Sequence, residues 1–193
     1  MSDLGSLYDK LFSFESKGKN EPYPIHKRLT LPDGKDLLDW ALEKTPSISD
    51  VQQVLDAGCG SGYSLFRLAL SGISGLGVSL SEKEIDFATT YCKKKNLNSK
   101  LSFQRLNYDN KFNCKFDLIL AIESLKHSAN LENSLNNLIH HLNIENGHLL
   151  IADDYYNNYS EFKTKQDAYW LSNNSLTHND FILSIKNAGG LIV

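Results

Sequence analysis

The fold of this chain is decided by nine residues, Val54-Leu55-Asp56-Ala57-Gly58-Cys59-Gly60-Ser61-Gly62. A short apolar run ends in an acid and is followed by three glycines at alternate positions, which predicts a buried strand that turns sharply into a helix. Glycine permits positive φ and leaves no Cβ in the way of a ligand, and the helix that follows opens with unpaired N–H groups. The stretch therefore predicts a binding site of the size of a nucleotide.

Two familiar nucleotide loops are excluded by this spacing. A dinucleotide-binding loop needs Gly-x-Gly-x-x-Gly, but the third residue after Gly60 is Tyr63, and a P-loop needs a lysine that is absent here. What remains is a turn with an acid in its floor and no cation to hold phosphate. Such a site suits an adenosine ligand that carries a positive charge better than it suits a pyrophosphate.

The stretch from Asp56 to Gly62 resembles the first motif of the class I S-adenosylmethionine-dependent methyltransferases, a strand followed by acid-x-Gly-x-Gly-x-Gly. The similarity extends from about Lys35 to the last residue. In that family the glycine turn lies under the methionine and ribose parts of the cofactor. The resemblance implies S-adenosylmethionine as the cofactor. The motif residues that it implies as contacts are Asp56, Gly58, Cys59, Gly60 and Gly62.

Size and charge limit the other classes of protein. With 193 residues, 41% of them hydrophobic, the chain fits one domain with a sizeable core. A net charge of −3 with mixed signs gives no basic surface for nucleic acid, and no apolar run reaches the roughly 20 residues that span a bilayer. The N-terminus lacks a secretory signal, and the three cysteines lack metal spacing. We expect a soluble cytoplasmic protein with reduced thiols and no stable membrane insertion.

Two regions are expected along the chain. Residues 1–34 are polar, contain three prolines and scattered aromatics, and are predicted to form an N-terminal arm or lid. In residues 35–193 strands alternate with helices, which is typical of an α/β, Rossmann-like, doubly wound, mostly parallel sheet with helices on both faces. Helices are predicted around the apolar residues of 37–42, 65–69, 85–91 and 131–142, and strands at 51–55, 75–78, 101–105, 116–122 and 148–152.

A last helix is predicted from His178 to Asn187, with Thr177 as its N-cap. The sequence then continues through two glycines into Leu191-Ile192-Val193. In the family that the chain resembles, a sixth strand begins here and pairs with an antiparallel seventh. We therefore expect the chain to stop inside the sixth strand, with its C-terminal strand hairpin truncated.

The loop after the second strand differs from most class I enzymes, which place Asp or Glu at the strand end to receive the ribose hydroxyls. That place holds Ser79. The difference resembles the cyclopropane fatty acid synthase branch, Gly-hydrophobic-Thr-Leu-Ser-x-x-Gln, with Ser79 for Thr and Glu84 for Gln. The resemblance implies cofactor contacts from Ser79, Leu80, Ser81 and Glu84. Ser81 is also predicted to cap the next helix with Glu84 as its capping-box partner, which does not exclude a cofactor contact.

The third strand is followed by Leu106-Asn107-Tyr108-Asp109. The family often sets an acid or amide against the adenine amino group here, with an aromatic beside the ring. Asp109 and Tyr108 are the candidates for these contacts. A simple polar turn is the alternative interpretation.

The loop after the fourth strand, Ala121-Ile122-Glu123-Ser124-Leu125-Lys126-His127-Ser128, resembles the Ile-Glu-Ala-x-x-His segment of sterol C-methyltransferases and, less closely, tocopherol, geranyl diphosphate and cyclopropane-forming enzymes. In those relatives these residues face the methyl group and the acceptor. The resemblance makes Ile122 a cofactor contact and Glu123 and His127 the catalytic candidates, as a charge that steadies a carbocation or as a base. Glu123 as a structural carboxylate and His127 as a cap or surface residue are the alternatives.

This loop also bears on the acceptor. Enzymes that methylate planar nitrogens carry Asn/Asp-Pro-Pro-Tyr/Phe at this place, and that sequence is absent, which disfavours a nucleic-acid substrate. After the fifth strand, Asp153 and Asp154 precede an aromatic-rich stretch that we expect to line an acceptor pocket. The downstream ligands of catechol-type metal enzymes are missing, so no metal is expected. The aromatic residues are Tyr155, Tyr156, Tyr159, Phe162, Tyr169 and Trp170.

Together these patterns predict an S-adenosylmethionine-dependent methyltransferase that acts on a small, apolar acceptor such as a lipid, terpenoid or natural product. The alternative is a non-catalytic or truncated cofactor-binding domain with a regulatory role. A nicotinamide-dependent oxidoreductase is excluded by the glycine spacing and by the missing acid after the second strand.

Overall fold

A computed structural model describes residues 2–24, 36–45, 48–153 and 177–190. Within them lies one five-stranded sheet in the order β3-β2-β1-β4-β5. All four strand pairs are parallel. The strands are β1 Gln53–Ala57, β2 Ser74–Ser79, β3 Leu101–Arg105, β4 Leu118–Ile122 and β5 His148–Ala152.

The described residues form six α-helices and two short 3-10 helices. The 3-10 helices are Ile48–Asp50 and Leu125–His127. The α-helices are α1 Ser2–Glu15, α2 Leu37–Lys44, α3 Tyr63–Leu70, α4 Glu82–Lys94, α5 Leu131–His140 and α6 His178–Asn187. None of the helices in the described ranges is long and apolar enough to cross a membrane.

The sheet is buried on both faces because its strands alternate large apolar side chains toward two separate cores. Val54, Leu118 and Leu120 face a core that includes buried residues of α2, α3 and α4. Leu55 and Ile119 face the opposite core, which includes buried residues of α5. The predicted α/β, doubly wound class with helices on both faces is confirmed.

The strand order places the chain reversal between β1 and β4. From β1 the chain moves outward to β2 and β3, and it then returns to add β4 and β5 on the other side. Open parallel sheets bind ligands beyond the carboxyl ends of their strands at such a reversal. The turn after β1 and the loop after β4 are therefore the two segments best placed to form a site.

Several boundaries differ from those predicted. β1 begins at Gln53, not Val51, and runs to Ala57, so Asp56 lies inside the strand rather than after it. β4 begins at Leu118, because Phe116 makes only an isolated bridge to Leu142. The predicted last helix, His178–Asn187, is confirmed, with Thr177 and Asp180 forming a reciprocal capping box.

The predictions for both ends of the chain have different outcomes. The N-terminal region contains a 14-residue helix, α1, which was not predicted. Phe12 and Tyr23 are buried there, and Phe12 packs against Phe87 of α4. The expected sixth strand at residues 191–193 and the aromatic stretch at 154–176 lie outside the described residues.

Two isoleucines test where the core lies. Ile119 in β4 is fully buried, whereas Ile144 is 96% exposed. Truncating a buried Ile to Ala removes apolar contacts and leaves a cavity, so Ile119→Ala is expected to lower the free energy of unfolding by about 2–5 kcal/mol. The matched Ile144→Ala change is expected to lie within about 0.5 kcal/mol of the wild type. Urea unfolding of both variants checks this, and equal losses would contradict the assignment of the core.

Candidate functional site

The carboxyl ends of the strands bring together the turn after β1, residues 79–84 from the end of β2 into α4, the loop after β3 and the loop after β4. The turn after β1 holds three glycines with positive φ, Gly58 at 98°, Gly60 at 51° and Gly62 at 85°. The N–H groups of Gly58 and Cys59 both donate to the carbonyl oxygen of Val78, each at 3.0 Å. The turn is thereby fixed against the end of β2.

Close packing also requires glycine at two of these positions. A Cβ on Gly58 would lie 2.5 Å from the Cβ of Ser124 in the loop after β4. A Cβ on Gly62 would lie 2.8 Å from Phe103 and 2.9 Å from Phe66. Gly58 itself is exposed, and Gly60 is half-buried. The turn therefore packs tightly against the sheet and still presents bare backbone outward.

Asp56 lies beneath this turn at the end of β1 and is only 3% exposed. Burial raises the pKa of Asp56 to about 7 from its ordinary 3.8. Its Oδ2 atom is buried and has no hydrogen-bond partner among the described residues. Burial also raises the pKa of the neighbouring Cys59 thiol, and the charges of Asp56 and Glu84 add to that effect.

Glu84 is a second buried carboxylate, 2% exposed, in the first turn of α4. Its Oε2 accepts a hydrogen bond of 2.6 Å from the hydroxyl of Ser79, while its Oε1 is buried with no partner in the described part of the chain. Burial raises the pKa of Glu84 to about 7, a shift that Asp9 and Glu15 add to and that the Ser79 hydroxyl opposes. Glu84 thus bonds to Ser79 through Oε2, while Oε1 remains able to accept a hydrogen bond.

The predicted cap of α4 is confirmed, and the predicted capping box is wrong. The Ser81 hydroxyl accepts from the Glu84 N–H at 3.2 Å. However, the Glu84 carboxylate bonds to Ser79 and not to the backbone of Ser81, because the Ser79 hydroxyl also accepts the Ser81 N–H at 3.1 Å. The Ser81 hydroxyl in turn donates to Asp9 of α1. The carbonyl of Leu80 accepts from Arg105 at 3.2 Å.

The loop after β3 places Tyr108 and Asp109 in contacts with other loops. The Tyr108 hydroxyl donates to the carbonyl of Ser124 at 3.0 Å. Burial raises the pKa of Tyr108, with Asp109 as the next cause. Asp109 is exposed and accepts a hydrogen bond from Ser134 of α5. These contacts tie the loop after β3 to the loop after β4.

The loop after β4 begins with a backbone outlier. Ile122 ends the strand half-buried, and Glu123 then adopts a φ of 51°, in the left-handed region that favours glycine. The N–H of Glu123 donates to the carbonyl of Ala152 at 2.6 Å. Such strain often marks functional sites.

Glu123 belongs to a buried charged cluster. The ammonium of Lys126 lies 3.6 Å from Glu123 Oε2 and 3.7 Å from Asp153 Oδ1. The backbone N–H of Lys126 also donates to Asp153 at 3.1 Å. One cation thus stands between two carboxylates at the ends of β4 and β5.

His127 is also buried, and its Nε2 lies 2.6 Å from the hydroxyl of Tyr8 in α1. The two rings meet edge to face, with centroids 5.4 Å apart. Burial raises the pKa of Tyr8, and Glu84, Glu123 and Asp153 raise it further. The phenol therefore lies close enough to Glu84 of α4, Glu123 after β4 and Asp153 after β5 to be influenced by their charges.

The N-terminal segment makes further contacts with this edge of the sheet. Asp9 accepts hydrogen bonds from the Ser81 hydroxyl at 2.6 Å and from the Lys83 N–H at 3.1 Å, at the start of α4. The Ser61 hydroxyl in the glycine turn donates to the Tyr23 carbonyl at 2.7 Å and accepts from the Tyr23 N–H at 2.9 Å. Sequence analysis did not single out Ser61 or Lys126, since the Ser61–Tyr23 and Lys126–Asp153 contacts join segments distant in sequence, and it placed Tyr8 only in the N-terminal arm or lid.

Comparison with known proteins identifies the family. A family model described as a methyltransferase domain matches residues 48–187. The chain belongs to this family, and its class is that of the class I S-adenosylmethionine-dependent methyltransferases, whose cofactor is S-adenosylmethionine.

Three similar proteins illustrate the relationship. The chain is 29% identical over 109 residues to a ubiquinone biosynthesis O-methyltransferase of Rickettsia prowazekii, a match that covers 54% of this chain and 42% of that protein. The chain thus spans less than half the length of that relative. A [4+2]-cyclase, SpnF, has a TM-score of 0.77 at 19% identity over 95% of this chain and 71% of its own. A geranyl diphosphate C-methyltransferase of Streptomyces coelicolor, solved with S-adenosylhomocysteine, has a TM-score of 0.71 at 14% identity. That match covers 96% of this chain and 78% of the methyltransferase.

The residues of the candidate site fit the cofactor of the class. Asp56 Oδ2 and Glu84 Oε1 are buried acceptors with no partner among the residues described. A buried carboxylate oxygen that lacks a hydrogen bond is costly, and ligand hydroxyls, ammonium or sulfonium charge would relieve that cost. Gly58 and Gly60 in the neighbouring turn keep backbone accessible to solvent.

The raised pKa values of Asp56 and Glu84 predict a pH dependence of stability. Because the folded pKa lies near 7 and the ordinary values are 3.8 and 4.5, the folded protein holds more protons between about pH 4 and 7. These groups therefore make the free energy of unfolding fall as pH rises through that window, by about 1.4 kcal/mol per unit of pKa shift. Thermal unfolding of Asp56→Asn/Glu84→Gln between pH 5 and 8 is expected to show a shallower fall than the wild type.

Two exposed residues provide the matched control. Asp86→Asn/Glu132→Gln makes the same chemical changes on the helix surface. Its stability curve is expected to run parallel to that of the wild type. If the stability of Asp56→Asn/Glu84→Gln falls with pH as steeply as that of the wild type, the two buried carboxyls do not titrate in this range.

Proposed function

We propose that this chain transfers the methyl group of S-adenosylmethionine to a small, apolar acceptor. When bound, the cofactor supplies a methyl group already activated on a sulfonium. The chain's own residues then have to bind and orient the reactants, exclude water and manage charge or a proton at the acceptor. The observation that carries the proposal is the pair of buried carboxylates, Asp56 and Glu84, beside a glycine turn at the chain reversal.

The candidate cofactor-binding residues fall into two groups, those whose side chains keep an acceptor oxygen without a partner in the described part of the chain and those whose side chains are bonded to other protein groups. Asp56 and Glu84 keep a buried oxygen without a partner among the described residues, and Ser79 fixes the orientation of Glu84. We assign these three side chains, with the turn from Gly58 to Gly62, to the cofactor. The side chains of Ser81, Tyr108 and Asp109 are engaged in protein contacts. Leu80, Ile122 and these three therefore act by shaping the wall of the cleft in our proposal.

The acceptor side is assigned to the loop after β4. Glu123 lies next to Lys126 at the end of β4, in a strained conformation that the fold maintains, and it supplies negative charge near the transferred methyl group. His127 lies four residues on, buried, and is the base where the acceptor has a proton to lose. The predicted arm of residues 1–34 acts as a lid in this proposal, since α1, in its described part, contacts the loops after β2 and β4 through Asp9 and Tyr8.

Support for an apolar acceptor comes from the comparisons and the sequence. One relative is named for O-methylation in ubiquinone biosynthesis and one neighbour for C-methylation of geranyl diphosphate. Both names describe small acceptors with apolar parts. The loop after β4 lacks the Pro-Pro sequence of enzymes that methylate planar nitrogens.

Cofactor binding is tested by titration calorimetry with S-adenosylmethionine. Asp56→Asn keeps the shape of the side chain and removes its negative charge, and it is expected to weaken binding about 10-fold or more, since hydrogen bonds to charged groups contribute about 1.5–3 kcal/mol. Asp86→Asn on the surface of α4 is the matched control and is expected to bind as the wild type does. Equal affinity of the wild type and Asp56→Asn would contradict the assignment of Asp56 to the cofactor.

Turnover is tested with a radiolabelled methyl donor and two probe acceptors, catechol for oxygen and geranyl diphosphate for carbon. Glu123→Gln is expected to lower kcat about 100-fold, within the range for a positioned charged or proton-transferring group, and to change the Kd of the cofactor less than twofold. Glu132→Gln on the exposed face of α5 is the control, with unchanged kcat. Tight cofactor binding without methylation of either probe would favour a non-catalytic domain.

A further inference from the structure

The hydrogen bond between Tyr8 and His127 joins residues 119 positions apart and connects α1 to the loop after β4. The Tyr8 hydroxyl lies 2.6 Å from His127 Nε2, and the rings meet edge to face. His127 is 8% exposed. A hydrogen bond to one nitrogen of a buried imidazole helps to set its tautomer and the orientation of its ring.

Tyr8 is held in place by the residues around it in α1. Asp9, the next residue, accepts two hydrogen bonds at the start of α4. Gly5, one turn earlier, lies so close to Leu80 that an added Cβ would be 2.7 Å from the Leu80 carbonyl oxygen. The helix is therefore seated against the loop after β2, and this seating fixes where the phenol points.

The chemistry of the phenol suits it to hold an imidazole. Its protonated form persists because burial and three surrounding carboxylates oppose the loss of the proton, which raises the pKa of Tyr8. A neutral phenol donates to an unprotonated imidazole nitrogen and accepts from a protonated one. It can therefore stay bonded to His127 in either protonation state of the ring.

We propose that Tyr8 is a positioning residue of the acceptor side, whose hydroxyl sets the orientation of the His127 imidazole when α1 lies over the site. This proposal rests on the proposed function, in which His127 faces the acceptor. Tyr8 acts through His127 and makes no contact of its own with the reacting atoms. The loss of its hydroxyl is thus expected to lower the rate of transfer and to leave cofactor affinity unchanged.

The test uses Tyr8→Phe, which keeps the ring and its edge-to-face packing and removes only the oxygen. The full chain is labelled with ¹⁵N-histidine, and the ring resonances of His127 are assigned by their loss in His127→Asn. In Tyr8→Phe the His127 resonances are expected to move, and those of the other five histidines are expected to stay. Tyr23→Phe is the matched control, because its hydroxyl is buried in the same segment and has no hydrogen-bond partner among the described residues. That variant is expected to leave the His127 resonances in place.

Kinetics and binding separate positioning from other roles. With the probe acceptor that is methylated, Tyr8→Phe is expected to lower kcat about 10-fold, a part of the 10²–10⁴-fold that a positioned base contributes. In a His127→Asn background, Tyr8→Phe is expected to cause no further loss of kcat. A merely structural role would lower kcat by the same factor in the wild-type and the His127→Asn backgrounds. Calorimetry with S-adenosylhomocysteine is expected to give a Kd within twofold of the wild type.

Different results overturn different claims. Unmoved His127 resonances in Tyr8→Phe, equal losses in both backgrounds, or a Kd for S-adenosylhomocysteine weakened 10-fold would each refute positioning, the last by making Tyr8 a cofactor contact. If neither probe acceptor is methylated, the proposed function fails by its own test. The resonances and the Kd then still decide whether Tyr8 holds His127.

Discussion

The site depends on one carbonyl oxygen, that of Val78, which accepts the N–H groups of both Gly58 and Cys59. These two bonds fold the chain over the end of β2 as soon as it leaves β1, and the glycine φ values make that fold possible. Asp56, two residues before the turn, lies in β1 between β2 and β4, and its burial there raises the pKa of that carboxyl to about 7. The two hydrogen bonds to Val78 therefore fix the glycine turn next to a buried acid.

The N-terminal segment connects parts of the site that the sheet alone would leave separate. It reaches the glycine turn through Tyr23 and Ser61, the start of α4 through Asp9, and the loop after β4 through Tyr8. The first two places belong to the proposed cofactor side and the third to the proposed acceptor side. Movement of α1 would therefore change both sides together.

Much of the fold could be predicted from the sequence because its signals are local. The glycine spacing defined the turn from Gly58 to Gly62, and Thr177 marked the start of α6 as its N-cap. The contacts that were not predicted depend on which segments become neighbours in space. The helix α1 could have been predicted, since Leu4, Leu7, Leu11 and Phe12 recur at helical spacing. However, Ser79 replaced the backbone of Ser81 as the partner of the Glu84 carboxylate, and Lys126 met Asp153 only because β4 and β5 pair. Such pairings have no signature in the spacing of the residues.

Two non-glycine residues have positive φ in the described ranges, and they differ in kind. Asn96, at 56°, follows the end of α4, where the left-handed conformation commonly terminates a helix. Glu123, at 51°, follows a strand, where no helix end accounts for the left-handed conformation. Glycine at this position would relax the backbone, but it would also take a buried carboxylate away from the Lys126 ammonium. The same side chain that strains the backbone thus holds the charge balance of the loop, and the role proposed for Glu123 would be lost with it.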